Sequence, residues 1–294
     1  MEKEYTQKYL QINRDKSVIF TGAEIPSLTV LPEFSELAES EGVAREFSNQ
    51  YPAVVFKKAC LADGAVVIQN IPSTNNTAVL EEVRRLNETT TVTIQVLDAE
   101  SMTLDLVELI MPIQSLSGKT LFVFPGNGSL DVYAQLCRLT GSELFENAAF
   151  ISTNRTMTKP GKFNLTVDYS TLPAGNFQNA VIVDDVIASG QTAGTIAFDL
   201  KYFYPNISVS LASWIMLLPT ERNKDEASGI RFVDRTFTSI ALKGNYTSRP
   251  PINSLSTFLE EDIFSKEKTA SYAQKYVSNP NEFTSTLRKI KEAV

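Results

Sequence analysis

The residues best suited to chemistry lie in one short run, Ala180-Val181-Ile182-Val183-Asp184-Asp185-Val186-Ile187-Ala188-Ser189-Gly190-Gln191-Thr192. Four apolar residues read as a central strand. Two carboxylates stand at its carboxyl end, where open α/β sheets take their ligands. An apolar pair follows, then Ala188, Ser189, Gly190 and Thr192, whose small side chains let backbone N–H groups close around an anion. A helix opening at Thr192 adds unsatisfied N–H groups and the positive end of its dipole. A phosphate monoester suits that cradle, with Asp184 and Asp185 one sugar-length away and able to bind ribose hydroxyls. The plainer alternative is an ordinary strand-turn-helix with a solvated acidic pair. The chain has no histidine. That excludes a Ser-His-Asp triad, a Cys-His dyad and His-ligated zinc. Catalysis here would have to use carboxylates, Lys or Arg, Tyr, hydroxyls, backbone dipoles or a hard cation such as magnesium.

The order of the segment (an apolar strand, two acidic residues, two apolar residues, a variable residue, Thr or Ser, Gly, any residue, Thr) resembles the signature with which type I phosphoribosyltransferases bind phosphoribosyl pyrophosphate (PRPP). Every position matches, with Ser189 in the Thr/Ser slot. The resemblance implies that Asp184 and Asp185 bind the ribose 2′ and 3′ hydroxyls, partly through magnesium, as catalytic and metal-binding residues. It implies that Ala188, Ser189, Gly190, Gln191 and Thr192 hold the 5′-phosphate. The reaction it implies moves phosphoribose from PRPP to a nitrogenous base and releases pyrophosphate. Positive charge developing on the sugar would be stabilised by nearby carboxylates.

The same family carries a pyrophosphate loop after an earlier strand. Pro125, Gly126, Asn127 and Gly128 stand in that position here, but the loop lacks the Arg or Lys that many members have. The basic stretch 154–162 falls where the family has a mobile catalytic loop. By that likeness Arg155, Lys159 and Lys162 would supply the missing positive charge, with Arg155 acting on turnover. A solvated surface loop is the competing reading of this stretch. Phe232, Asp234 and Asn253 are candidates for the base side: an aromatic to stack, a carboxylate to read ring nitrogens, and a residue of the turn around 248–254. Ordinary packing and surface turns are the favoured reading of these three residues. Trp214 and the aromatics around Tyr202 read as packing.

Placing these groups requires alternating strands and helices. Strands are expected at 17–21, 53–57, 65–69, 90–97, 120–124, 148–152, 179–183, within 207–218, and at 235–242. Helices are expected at 31–48, 76–86 with Asn75 as N-cap, 130–139 and 192–202, with 101–114 ambiguous and a helical tail beyond Ser265. The alternation predicts an α/β fold with a parallel sheet. With the resemblance, this becomes a phosphoribosyltransferase-like core over 116–260, an N-terminal α/β lobe or hood over 1–115, and a C-terminal helical tail over 261–294.

A net charge of −7 and a pI of about 4.9 weigh against broad binding to nucleic acid or an anionic membrane. Cys60 and Cys137 do not have metal-type spacing and are expected to be reduced, buried thiols of a cytoplasmic protein. The polar lead 1–14 does not read as a signal peptide, and no apolar run is long enough to span a bilayer. The expected partners are PRPP and a small base, in a homodimer, with magnesium as cofactor. Two other readings stay open. One is a non-catalytic regulator that binds PRPP or a nucleotide. The other is a diphosphokinase related to the PRPP-making synthetases.

Overall fold

The computed structural model describes residues 37, 39–51, 53–62, 64–70, 76–91, 94–114, 119–159, 162–218, 230–244, 252–254 and 277–293. Among them the chain forms two compact units, each assembled from separated stretches. One holds Ala44–Ala59 and Met102–Ala241; the other takes the described parts of 23–43, Cys60–Ser101 and 242–294. The expected strand at 17–21 and the N-cap at Asn75 lie outside the described residues.

In chain order the elements are α1 (Glu41–Gln50), β1 (Val54–Ala62), β2 (Ala65–Gln69), α2 (Asn76–Glu88), β3 (Ile94–Asp98), α3 (Ala99–Gln114), β4 (Thr120–Pro125), α4 (Gly128–Thr140), β5 (Ala148–Lys159), β6 (Lys162–Asp168), β7 (Asn179–Ile187), α5 (Gln191–Phe203), β8 (Ser208–Leu217), β9 (Arg235–Gly244), β10 (Ile252–Ser254) and α6 (Pro280–Ala293). The fold is α/β, as the alternation predicts, with a C-terminal helix.

The larger unit is built on a seven-stranded sheet of order β1-β9-β8-β7-β4-β5-β6. The β4–β5, β4–β7 and β7–β8 pairs are parallel, whereas β5–β6 is antiparallel. Strand β7 has partners on both sides, and Ala180 to Val183 are fully buried. That is the environment in which an unbroken apolar run is stable as a parallel strand. An aromatic cluster fixes α4 on β4 and β5: Phe124 stacks on Phe150 at 5.4 Å, and Tyr133 meets both edge-on at 5.0 and 4.8 Å.

The smaller unit has a parallel sheet, β10-β2-β3, with α2 packed on α6. Val79, Val83 and Leu86 on α2, and Phe283, Leu287 and Ile290 on α6, are buried at helical spacing. Helix α6 is N-capped by Asn279, whose Oδ1 accepts from Glu282 N at 3.3 Å and whose Nδ2 donates to Glu282 Oε2 at 2.9 Å. Pro280 occupies the first helical position, where its missing N–H costs nothing.

The structure corrects some local expectations and resolves an ambiguous one. The helix expected from 31 begins only at Glu41; Ser40 Oγ accepts from Val43 N at 3.3 Å as its cap, and Glu39 forms an antiparallel bridge with Cys60. The ambiguous 101–114 is a helix, opened by Asp98, which accepts from Ser101 N at 2.9 Å. Its exposed Leu104 and Met111 blur the apolar periodicity. The basic stretch after Ser152 is not a loop, since β5 runs on to Lys159 and returns as β6. Trp214 is buried as expected, but Tyr202 is 81% exposed and so is not a packing residue. Cys60 and Cys137 are buried thiols not joined in a disulfide. Among the described residues no helix is long and apolar enough to cross a membrane.

Trp214 is held by a long-range bond, its Nε1 donating to the buried Thr103 Oγ1 at 2.9 Å. Thr103→Val keeps the shape and strands a buried indole N–H, a loss of about 1–3 kcal/mol. Urea denaturation followed by the fluorescence of this single tryptophan should show a lower midpoint. An unchanged midpoint would mean the bond adds no net stability.

Candidate active site

Parallel pairing brings the carboxyl ends of β4, β5 and β7 to one edge of the sheet, and the motif residues gather there. Strand β7 runs further than the sequence pattern implied, through both aspartates to Ile187. Asp184 and Asp185 therefore belong to a strand end rather than to a loop. Asp184 Oδ1 accepts from the Asp185 N–H at 3.0 Å, and Asp185 Oδ1 accepts from Val186 N–H at 2.7 Å. Each carboxyl is thus fixed by the backbone just after it.

The pair is electrostatically costly. Each residue keeps some surface in contact with solvent, yet the Asp184 carboxyl is densely surrounded by protein. Desolvation, reinforced by the neighbouring Asp185 charge, pushes the Asp184 pKa well above the usual carboxylate range; the positive charge of Arg155 acts more weakly in the opposite sense. A hard dication would offset this repulsion. Among the described residues no cluster of three or more acidic, Cys or His side chains could hold a metal. Two carboxylates completed by substrate oxygens are a common donor set for magnesium, so the pair fits that ion.

Next to Asp185 lies the start of α4. A Cβ placed on Gly128 would sit 2.3 Å from the Asp185 carboxyl carbon, so the carboxylate packs directly on the Gly128 backbone. Gly128 is required by this approach. Gly126 is required by its dihedral, φ +70°, in the turn where its N–H donates to Ile151 O at 3.0 Å. Ser129 Oγ donates back to Gly126 O at 3.0 Å. Pro125 closes β4, and Asn127 precedes the helix without a side-chain capping bond.

The cradle follows β7. Gly190 is buried and left-handed at φ +70°, and accepts the first intrahelical bond, from Gly194 N at 2.7 Å. Helix α5 opens at Gln191, one residue earlier than expected. Ser189 Oγ accepts from Gln191 N at 3.3 Å. The N–H groups of Thr192 and Ala193 have no intrahelical acceptor by helix geometry. Ala188 and Ser189 are half-buried, Gln191 is exposed and Thr192 is buried. Arg155 reaches this cradle from β5, its Nη2 donating to Thr192 Oγ1.

Not every candidate converges. Lys159 and Lys162 pair with each other at the far end of the β5–β6 hairpin. Asp234 is committed elsewhere: its Oδ1 pairs with Lys201 at 2.7 Å, and its Oδ2 accepts from Val209 N at 2.8 Å. Val209 is in register with Ala180, at the end of β7 away from the acidic pair. Phe232 packs edge-on against Phe198 of α5 and carries Arg231 over its ring. Neither of these base-side candidates is brought to the acidic pair, because the residues just ahead of β9 lie at the opposite edge of the sheet, where Asp234 N donates to Val209 O. Asn253 lies in β10 of the smaller unit, paired with Val67. Thr153 was not foreseen: its Oγ1 lies 3.3 Å from where a Gly126 Cβ would be. Strand alternation places Thr153 and Arg155 on one face of β5, a signal that a loop reading of the stretch conceals.

No family model matches this chain, and no curated protein matches it. Among solved structures it is similar to a purine phosphoribosyltransferase from Pyrococcus horikoshii, at 15% identity and TM-score 0.38 over 53% of this chain and 86% of that one. A xanthine-guanine-hypoxanthine phosphoribosyltransferase from Helicobacter pylori is similar at 13% identity and TM-score 0.36, over 54% of this chain and 93% of that one. An adenine phosphoribosyltransferase from Rhodothermus marinus is similar at 16% identity and TM-score 0.33, over 47% and 77% respectively.

Two outcomes follow from the geometry. The raised pKa means that folded Asp184 holds its proton more tightly than the unfolded chain does. Its ionisation therefore removes stability as pH rises from the unfolded pKa through the folded one. In buffer without divalent cations, Asp184→Asn should melt higher than the parent, with a gain that grows across that window and then levels off. A gain independent of pH would contradict the assignment. Gly128→Ala should displace the Asp185 carboxylate and weaken magnesium-dependent ligand binding at least about tenfold, a cost of about 1.4 kcal/mol, as read by calorimetry. Unchanged affinity would mean that the Asp185 position is not used.

Proposed function

We propose that this protein is a magnesium-dependent phosphoribosyltransferase that moves phosphoribose from PRPP to a nitrogenous base and releases pyrophosphate. The observation that carries the reading is the continuity of one strand end: Asp184 and Asp185 on β7, then the left-handed Gly190, then the N-terminus of α5. In this reading the N–H groups of α5 hold the 5′-phosphate, and the acidic pair binds the ribose diol. That leaves C1 of the sugar over the edge where Gly126–Gly128 opens α4. As the bond from C1 to pyrophosphate breaks, positive charge builds on the sugar, and the Asp184 and Asp185 carboxylates lie where they can offset it. Magnesium, when bound at this pair, would neutralise the departing pyrophosphate. The backbone at Gly126–Gly128 is the proposed pyrophosphate side. The acceptor is a small base, and a cytoplasmic homodimer is the proposed setting.

A second reading has its own support. The pyrophosphate turn carries no basic residue, which suits a protein that binds PRPP or a nucleotide without turning it over.

Titrating PRPP into the protein with and without magnesium, and then screening nucleobases for pyrophosphate release, separates the two. The enzyme reading expects saturable, magnesium-enhanced binding and release with at least one base. Both should be abolished by the double change Asp184→Asn and Asp185→Asn, and phosphate binding by Gly190→Val, whose branched Cβ cannot adopt that dihedral without strain. Binding without release for any base would favour the regulator. Absence of PRPP binding in both conditions would sink both readings.

A further inference from the structure

Among the described residues, Arg155 is a charged side chain that touches the cradle, and its surroundings suit a role other than a swinging catalytic arm. It is borne on a paired strand, with Arg155 in register with Leu165 of β6. The hairpin is fastened to α5 twice: by Arg155 Nη2 donating to Thr192 Oγ1, and further along the helix by Tyr169 Oη donating to Asp199 Oδ2. The Tyr169 ring also meets Phe203 edge-on at 5.1 Å. Burial raises the Tyr169 pKa, so this hydroxyl keeps its proton and its donor role across the physiological range. These ties hold the hairpin beside α5 and set Arg155 against Thr192, although the Arg155 side chain itself stays exposed to solvent.

The direction of the Arg155–Thr192 bond has a chemical consequence. A guanidinium only donates, so Thr192 Oγ1 must be the acceptor. The threonine hydroxyl also has one proton to give, and with Arg155 fixing the oxygen that proton is turned toward another acceptor. Thr192 lies in the first turn of α5, beside N–H groups that have no intrahelical acceptor. The guanidinium retains further N–H donors in a planar fork suited to phosphate oxygens.

We propose that Arg155 is a positioning residue for the 5′-phosphate: it orients the Thr192 hydroxyl as a donor to a phosphate monoester and so sets affinity for the sugar phosphate, not the rate of the transfer step. This rests on the reading of 184–192 as a phosphoribosyl site. It departs from the sequence-based expectation that Arg155 serves pyrophosphate and turnover.

The test is a double-mutant cycle read by calorimetry with ribose 5-phosphate, a ligand that has no pyrophosphate. Arg155→Ala and Thr192→Val should each weaken binding about tenfold, consistent with loss of a charge-assisted bond. The double variant should be little worse than either single change, because one group acts through the other. Thr192→Ser should bind like the parent, and Arg155→Lys should recover part of the affinity. With PRPP and an accepted base, Arg155→Ala should raise KM about tenfold and change kcat less than about threefold. Melting curves of all variants confirm that the fold persists. Additive losses, or a fall in kcat with unchanged ribose 5-phosphate affinity, would overturn the inference while leaving the phosphoribosyl site standing. A parent protein that binds neither ribose 5-phosphate nor PRPP would overturn the site itself, and this role for Arg155 with it.

Discussion

The architecture depends on one strand whose apolar run is fully buried and whose end is charged. Ala180 to Val183 are buried completely between β4 and β8. Two adjacent carboxylates at the same strand's exit cannot follow them into that core. They must stop where backbone N–H groups, a cation or a ligand can meet them. The strand direction, the parallel neighbours and the helix that follows all respect this limit. It also makes the site intrinsically uncomfortable: Asp184 is desolvated and faces a like charge on Asp185. Strain of that kind persists where the surrounding structure enforces it, and binding can use it.

Three supports hold the edge around that strand end. The aromatic cluster of Phe124, Tyr133 and Phe150 sets β4, β5 and α4 against one another, which delivers the Gly126–Gly128 turn to Asp185. The hairpin β5–β6, tied to α5 by Tyr169 and Asp199, delivers Arg155 to Thr192. Gly190, left-handed and buried, turns the chain from the strand end into the helix. Each support uses a different interaction: ring packing, a hydrogen bond with a buried partner, and a backbone conformation open to glycine.

Much of this was legible without coordinates. The apolar run 180–183, the acidic pair and the small-residue turn are local in sequence, and local order fixes local geometry: a strand, a sharp turn and a helix N-terminus. The strand–helix alternation after Lys119 gave the parallel sheet, because parallel strands need crossovers. The absence of histidine narrowed the chemistry. Helix α3 and the hairpin were harder. Exposed apolar residues on α3 hid its period, and the hydroxyl-rich, charged β5–β6 pair resembled a loop because an edge hairpin has little core to advertise.

Tertiary structure alone decided what lies far apart in the chain. The sequence determined that 184–192 would carry carboxylates and an anion cradle, since those properties belong to residue type and order. It could not show that Asp185 rests on Gly128, that Arg155 reaches Thr192, or that Asp234 is spent on Lys201 and Val209. Those contacts depend on sheet order and strand register, which are set by how buried faces pack over the whole unit. A one-residue slip in register would turn Arg155 to the other face of its strand.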